Sequence, residues 1–455
     1  MALLSPFQMI LLHSFIANQT IFTVRVLSIL LILLVSSAFV AGPPMIDKKL
    51  IKNDMPFLVD FYKTRHKNPE ISLQEKETSK ALATELKKVG FSVTENFGGY
   101  GIVGVYKNGN GPTIMYRTDM DALPMYEKTD LPYQSQLKAT LNGEEVGTMH
   151  SCGHDIHMTT WLGTARAMVA MKDKWKGTLL LIGQPAEEIG AGAKMMLEAG
   201  LYEKFGVPNY GIGLHSSPTL PAGKVGISDG YVMASSQSVD INVFGVGSHG
   251  ASPHMSIDPL VVTSMLVMEL QTIVSRNLNP TESAVVTVGT IKGGTVHNII
   301  PDMVTLKLTI RTFKAEVLEM VNKRIKEIAK GVGIAAGLPE DKLPEVIIKA
   351  AGPANYNNPA VTSRIIESAT SVIGKENVID EEPVMLSEDF SYYGQTEHKV
   401  PTVFYWLGTV PDARIKSGDL PGLHSPFYYP QPEISIETGV GVTSQALLDL
   451  FNTKM

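Results

Sequence analysis

The sequence predicts an α/β protein whose large sheet is interrupted by a second, smaller α/β unit. Three observations lead there. Short β-rich runs alternate with helical apolar spacing as far as Leu214, the pattern of a sheet covered by helices. From Gln237 to Lys349 the order changes to β-α-β-β-α-β, which is ferredoxin-like. At 455 residues the chain is also too long for one ordinary domain.

Ile46–Lys67 has helical spacing and is stopped by Asn68-Pro69. Ser72 with Glu75 reads as a capping box for a helix to about Val89, and Gly90 fits that helix's C-terminal cap. Phe91–Glu95, Ile102–Tyr106 and Thr113–Arg117 are β-rich runs between glycine clusters. Met158–Met171 is helical. Thr178–Ile182 is a buried strand leading to Gln184-Pro185, Ala193–Glu198 is helical, and the strand Tyr210–Leu214 ends at His215. In the inserted unit Gln237–Phe244, Ala284–Ile291, Val304–Ile310 and Glu345–Lys349 are strands, with helices at Pro259–Ser275 and Ala315–Lys330. A helix near Pro359–Ile373, a strand at Thr402–Leu407 and a helix from Ile434 complete the large unit. The expected division is a leader at 1–42, a large unit in two parts at 43–234 and 352–455, and the insert at 235–351.

Composition narrows the function. Hydrophobic residues make up 44% and charged residues 18%, ordinary for a globular enzyme. A net charge of −6 gives no basic footprint, so nucleic acid is not an expected partner. Val26–Gly42 is uncharged, with an apolar core Leu27–Val35, small residues after it and then Pro43-Pro44. It reads as the core and cleavage zone of a signal peptide, with an uncleaved membrane anchor as the alternative. The expected location is therefore exported, periplasmic or secreted.

The chemistry concentrates in Met149-His150-Ser151-Cys152-Gly153-His154-Asp155-Ile156-His157. This stretch holds the chain's one cysteine and three of its eleven histidines. A thiolate and an imidazole flanking a glycine, with a carboxylate beside them, is a metal-ligand pattern. Asp119 and Asp121 follow one predicted strand, Glu187 and Glu188 follow the next, and His215 ends a third. Strand ends of an α/β sheet are where sites form. Each residue alone has a plainer role: a turn cap for the aspartates, a solvated turn for the glutamates, a core position for Cys152. Their coincidence at the ends of one sheet favours a site.

In order, Cys152-Gly153-His154-Asp155-Ile156-His157, Pro185-Ala186-Glu187-Glu188, Gly213-Leu214-His215, Ser248-His249-Gly250-Ala251-Ser252-Pro253-His254 and Leu423-His424-Ser425-Pro426 resemble the co-catalytic metallopeptidases and amidohydrolases. That family includes aminoacylase and glutamate carboxypeptidase. The nearest branch contains hippurate hydrolase, N-acyl-amino-acid amidohydrolases and plant auxin-conjugate hydrolases, and the resemblance runs from about Ile46 to the C-terminus. It implies a mixed-sheet, zinc-peptidase-like catalytic domain with a ferredoxin-like lid and dimerisation insert. It also implies two divalent metal ions per subunit, held by Cys152, His154, Glu188, His215 and His424, with manganese, zinc, cobalt and nickel all compatible. Glu187 would be the general base. His249, with Asn298, would stabilise the oxyanion across a homodimer, and Arg311 and Asp389 would contact substrate. The family's His-x-Asp is Asp119-Met120-Asp121 here, so Asp119, Asp121 and Asp155 are expected either on a metal or behind its ligands. The implied substrate is an N-acyl-amino acid. A dipeptide or carboxypeptidase substrate is the alternative, and a metal-binding member without catalysis is the third reading. Membrane contact is expected only if the leader stays attached.

Overall fold

The computed structural model describes residues 5–11, 13–15, 19 and 44–453. The chain divides into two compact units, Met1–Pro44 and Met45–Met455. Described residues of the first are largely helical, and the proposed leader core at 26–42 lies outside the described residues. Among the described residues no helix is long and apolar enough to cross a membrane.

The second unit is built on an eight-stranded mixed sheet. Its spatial order is Ser92–Thr94, Ile102–Asn108, Gly177–Gln184, Thr113–Asp119, Tyr210–Pro221, Thr402–Val410, Val225–Gly226, Val378–Ile379. Gly177–Gln184, Thr113–Asp119, Tyr210–Pro221 and Thr402–Val410 run parallel. They are buried along nearly their whole length, as parallel strands covered on both faces must be. Alternation sorts their side chains. Leu179 and Leu181 enter a core with Trp161, Trp175, Val440 and Phe451. Leu180 and Ile182 enter one with Met196, Tyr202, Phe390 and Tyr393. Helices Lys48–Lys67, His154–Ala170 and Pro432–Phe451 supply the first core, so the sheet is a middle layer.

Local signals account for most boundaries. Asp47 caps the Lys48–Lys67 helix by accepting the Lys49 amide. Gly90, at φ 95, closes the Lys76–Lys88 helix: its amide reaches the Lys87 carbonyl, and the Phe91 amide reaches Leu86. The capping box at Ser72 and Glu75 is a correction. Ser72 Oγ donates to Asp121 Oδ2 at 2.6 Å, and Glu75 is fully buried with no side-chain bond to its own helix. Both are drawn into tertiary contacts instead.

The inserted β-α-β-β-α-β segment forms a four-stranded antiparallel sheet, ordered Ala284–Gly293, Met303–Thr312, Gln237–Phe244, Glu345–Ile348. Helices Pro259–Thr272 and Ala315–Ala335 pack on it around a separate core that includes Val239, Ile241, Leu266, Leu306 and Ile325. The chain enters and leaves through adjacent segments, where Ser236 and Gly352 exchange backbone hydrogen bonds of 3.1 and 2.9 Å.

Candidate metal centre

Thr113–Asp119 and Gly177–Gln184 run in register, with Asp119 opposite Gln184. The chain then delivers Asp121 from one strand and Pro185-Ala186-Glu187-Glu188 from the other. On the other side of Thr113–Asp119, Tyr210–Pro221 carries His215. His215 does not end its strand as expected. Pairing with Thr402–Val410 continues past His215, which faces Trp406, as far as Pro221. The helix bearing His154 also begins earlier than its apolar spacing suggests, at His154 rather than Met158. Its first turn is His154-Asp155-Ile156-His157, and three of those four side chains are polar, so the core-facing signal starts late. Gly153 precedes it at φ 80, and a Cβ there would lie 2.6 Å from Ser216 Oγ, so glycine is required.

The histidines are oriented by bonds on their far nitrogens. His154 Nδ1 donates to the Asp121 carbonyl at 2.7 Å, leaving the Nε2 lone pair free. That Nε2 is buried with no hydrogen-bond partner, as is Glu188 Oε1, 3.7 Å away. His215 Nδ1 donates to the Ser216 carbonyl at 2.9 Å, and its Nε2 lies 3.4 Å from Cys152 Sγ. His424 Nε2 lies 3.3 Å from Glu188 Oε2. The His424 amide donates to the Ser151 carbonyl at 3.0 Å, which seats its loop on the cysteine stretch.

Two donor groups share Cys152. Cys152, His154 and His215 present ligand atoms within 4.8 Å of one another, and so do Cys152, Glu188 and His424. A thiol, imidazole lone pairs and a carboxylate oxygen brought together, buried but for Glu188 and the exposed His424, fit divalent cations. Burial, and after it the charges of Glu188 and Glu187, push the Cys152 thiol up. Burial likewise raises Glu187, reinforced by Glu388, Glu188 and Asp389.

The three aspartates pack beside these residues, and Asp119 forms a further close donor group with His154 and His157. Asp119 Oδ1 accepts from His157 Nδ1 and Oδ2 from Arg117 Nη1, both at 2.7 Å. Burial opposes its charge, yet His154, His157 and Arg117 hold its pKa well below the usual carboxylate range. Asp121 accepts the amides of Glu187 and Glu188 at 3.1 and 3.0 Å. Asp155 turns away, binding the Ile156 amide at 2.8 Å and His66 at 2.7 Å. His157 is also fully engaged: its Nε2 accepts the Ser216 amide at 2.7 Å.

Asp389 was expected at the substrate. Its oxygens accept from Arg117, Gln184 Nε2 and the Ala193 amide, at 3.0, 2.6 and 3.0 Å, and it also lines the cavity over this centre. The same contacts reveal Arg117, fully buried and bound to Gln184, Asp119, Glu388 and Asp389. Glu388 and Asp389 in turn stand with Glu187, their oxygens within 4.8 Å of one another. An arginine inside an otherwise apolar strand was the available sequence signal. Its partners lie up to 272 positions away, beyond local pattern.

A cavity of about 660 Å³ opens over this centre, and Cys152, Glu187, Glu188, His215, His424 and Arg311 are among the residues that line it. Arg311 donates to Ser387 Oγ at 2.5 Å, and no carboxylate among the described residues pairs with it. His249 and Asn298 do not line the cavity. They lie in and beside the two-residue ladder Ser248–His249/Ile299–Ile300 of the insert, both exposed.

Comparison with known proteins gives a consistent answer. The model of peptidase family M20/M25/M40 matches residues 115–449. Hippurate hydrolase of Campylobacter jejuni is 39% identical over 73% of this chain and 85% of its own length. The N-acetyl-L-cysteine deacetylase of Bacillus subtilis is 37% identical over 78% and 81%. Among solved structures, the YXEP protein of Bacillus subtilis, described as a dinuclear metal binding peptidase from the M20 family, superposes with a TM-score of 0.72. It is 28% identical, and the match covers 89% of this chain and all of that one.

Proposed function

The chain belongs to peptidase family M20/M25/M40, a family of metal-dependent hydrolases of amide bonds, and on that premise we propose that it removes the acyl group from N-acyl-amino acids. The observation that carries this reading is one cavity whose lining combines candidate metal ligands with an arginine. Cys152, Glu188, His215 and His424 line it beside Glu187, with His154 grouped behind them, and the guanidinium of Arg311, which meets no carboxylate among the described residues, lines the same cavity. The named activities of the two bacterial relatives, hippurate hydrolysis and N-acetyl-cysteine deacetylation, share a small acyl group on an amino acid with a free carboxylate.

Those five ligands would hold two divalent cations, which when bound supply Lewis acidity toward the amide carbonyl and a more acidic water. Glu187 takes a proton from the attacking water as the new C–O bond forms. It then gives that proton to the amide nitrogen as the C–N bond breaks, releasing the carboxylic acid and the amino acid. Arg311 grips the amino acid's carboxylate, for which a two-pronged guanidinium is suited. Asp119, Asp121 and His157 hold the ligands and the Glu187-Glu188 turn in place.

The oxyanion donor comes from a second copy of the chain. His249 Nδ1 accepts the Ala251 amide at 3.1 Å, so its proton sits on Nε2, where it can be donated. The insert offers a surface for such a dimer. Val261, Met265 and Met268 are exposed on helix Pro259–Thr272, and Ile291 is exposed on the edge strand Ala284–Gly293.

Incubation of metal-reconstituted protein with N-acetyl, N-benzoyl and N-indoleacetyl amino acids, beside dipeptides, tests the proposal. Amino acid release from the acyl compounds, lost when their carboxylate is methylated, is expected. Turnover of dipeptides alone would replace this reading with a peptidase.

A further inference from the structure

Three consecutive backbone amides after strand Gly177–Gln184 point inward and are met by two carboxylates from elsewhere in the chain. The Ala186 amide donates to Glu75 Oε1 at 2.8 Å. The next two, of Glu187 and Glu188, go to the two oxygens of Asp121. Ala186 has φ 53, a left-handed conformation that residues with side chains rarely adopt. Successive amides around such a residue form a concavity that binds anions, and here the chain's own carboxylates fill it.

Glu75 is fully buried immediately before helix Lys76–Lys88. Its Oε1 also accepts the amide of Leu73 at 3.0 Å, another left-handed residue, with φ 66. Neither hydrogen bond supports the helix that follows. Both hold strained turns, and one of those turns carries Glu187 and Glu188. Both neighbours reach His154 Nε2, at 3.8 and 3.7 Å, while Glu187 also stands with Glu388 and Asp389 and Glu188 with Cys152 and His424.

We propose that Glu75 is a positioning residue for the hydrolysis, holding Ala186 left-handed so that the general base and the adjacent metal ligand are both set against the site. Asp121 cannot do this alone, because it binds the two amides that follow Ala186 and not that of Ala186 itself. The proposal rests on the reading of Glu187 as the base. Removing the Glu75 acceptor leaves a buried amide unpaired and frees Ala186 to relax to a negative φ, which swings Glu187 away.

Steady-state kinetics on E75A, E75Q and E75A/A186G, each with metal content measured by elemental analysis, test it. E75A should lose at least tenfold in kcat with KM within threefold and metal unchanged. E75Q, whose amide oxygen can accept the same N–H, should stay within threefold of wild type. A186G should recover at least threefold of the E75A loss, because glycine adopts the left-handed conformation without restraint. An E75A kcat within threefold of wild type overturns the proposal, as does loss of metal in step with activity or no recovery on A186G. If E75A does not fold, E75M takes its place, and a folded, metal-replete E75Q with a tenfold loss overturns the proposal by itself. Wild type in the same assay separates the two readings. No wild-type turnover refutes the proposed function, whereas wild-type turnover with an unaffected E75A refutes only the role of Glu75.

Discussion

Cys152 Sγ lies 3.4 Å from His215 Nε2, and the cysteine is shared by two donor groups, one with His154 and His215 and one with Glu188 and His424. A thiolate so placed would contact both ions of the proposed pair, a role for a single buried cysteine with no disulfide partner. C152S should therefore bind less metal at both positions. Elemental analysis after dialysis is expected to show well under two equivalents per subunit, with a drop in activity of at least 10-fold. Unchanged stoichiometry would remove the thiolate from the ligand set.

Arg311 faces the cavity without a carboxylate partner. R311A should raise KM for N-acyl-amino acids by about 10- to 100-fold, the scale of one or two charge-assisted hydrogen bonds, with a smaller change in kcat. R311K should recover only part of this, because an ammonium is not a two-pronged donor. Equal kcat/KM for free and methylated carboxylates in the wild type would contradict the clamp.

His249 and Asn298 stand outside the cavity of their own chain. If His249 serves a neighbouring copy, H249A and E187Q, each inactive alone, should regain activity when co-assembled, because one of the two sites then has both groups. Up to about a quarter of wild-type activity is expected in a random mixture of dimers. Confirmed mixed dimers without activity would rule the arrangement out.

His66 sits between Asp155 at 2.7 Å and Glu127 at 3.0 Å, behind the helix that bears His154. Burial disfavours its charge, but the hydrogen bonds to Asp155 and Glu127 outweigh burial and raise its pKa to about 9. The folded value lies above the ordinary value of about 6.5. The stabilisation is therefore complete below about pH 6.5 and is lost as pH rises through about 9. Melting temperatures of wild type should fall over that window, while H66Q, which cannot titrate, shows a flatter profile. Parallel profiles would show that His66 is not the group responsible.

Much of this was legible in the chain because the signals are local. The helix expected near Pro359–Ile373 has those bounds in the structure, and the insert's β-α-β-β-α-β order is read from six consecutive elements. Most candidate ligands stood out because cysteine, histidine and paired carboxylates follow predicted strands, whereas His424 entered only through the family resemblance. What stayed hidden depends on distant partners. Glu75 looked like a helix cap until its Ala186 partner, 111 positions on, was visible. Arg117 and Glu388 are separated by 271. Breaking such a buried ion pair by removing one partner costs about 3–5 kcal/mol, so these residues hold the site's shape even though no local pattern announces them. His215 was placed at a strand end because its strand's apolar run stops there, while pairing with Thr402–Val410 carries the strand further.

The central claim is that Glu187 moves the proton in a site whose metals it does not hold. The direct measurement is kcat of E187Q on an N-acyl-amino acid, with metal content determined on the same sample. Two equivalents of metal with kcat reduced by about 10²- to 10⁴-fold are expected, the usual contribution of a general acid–base. A metal-replete E187Q turning over within tenfold of wild type would contradict it.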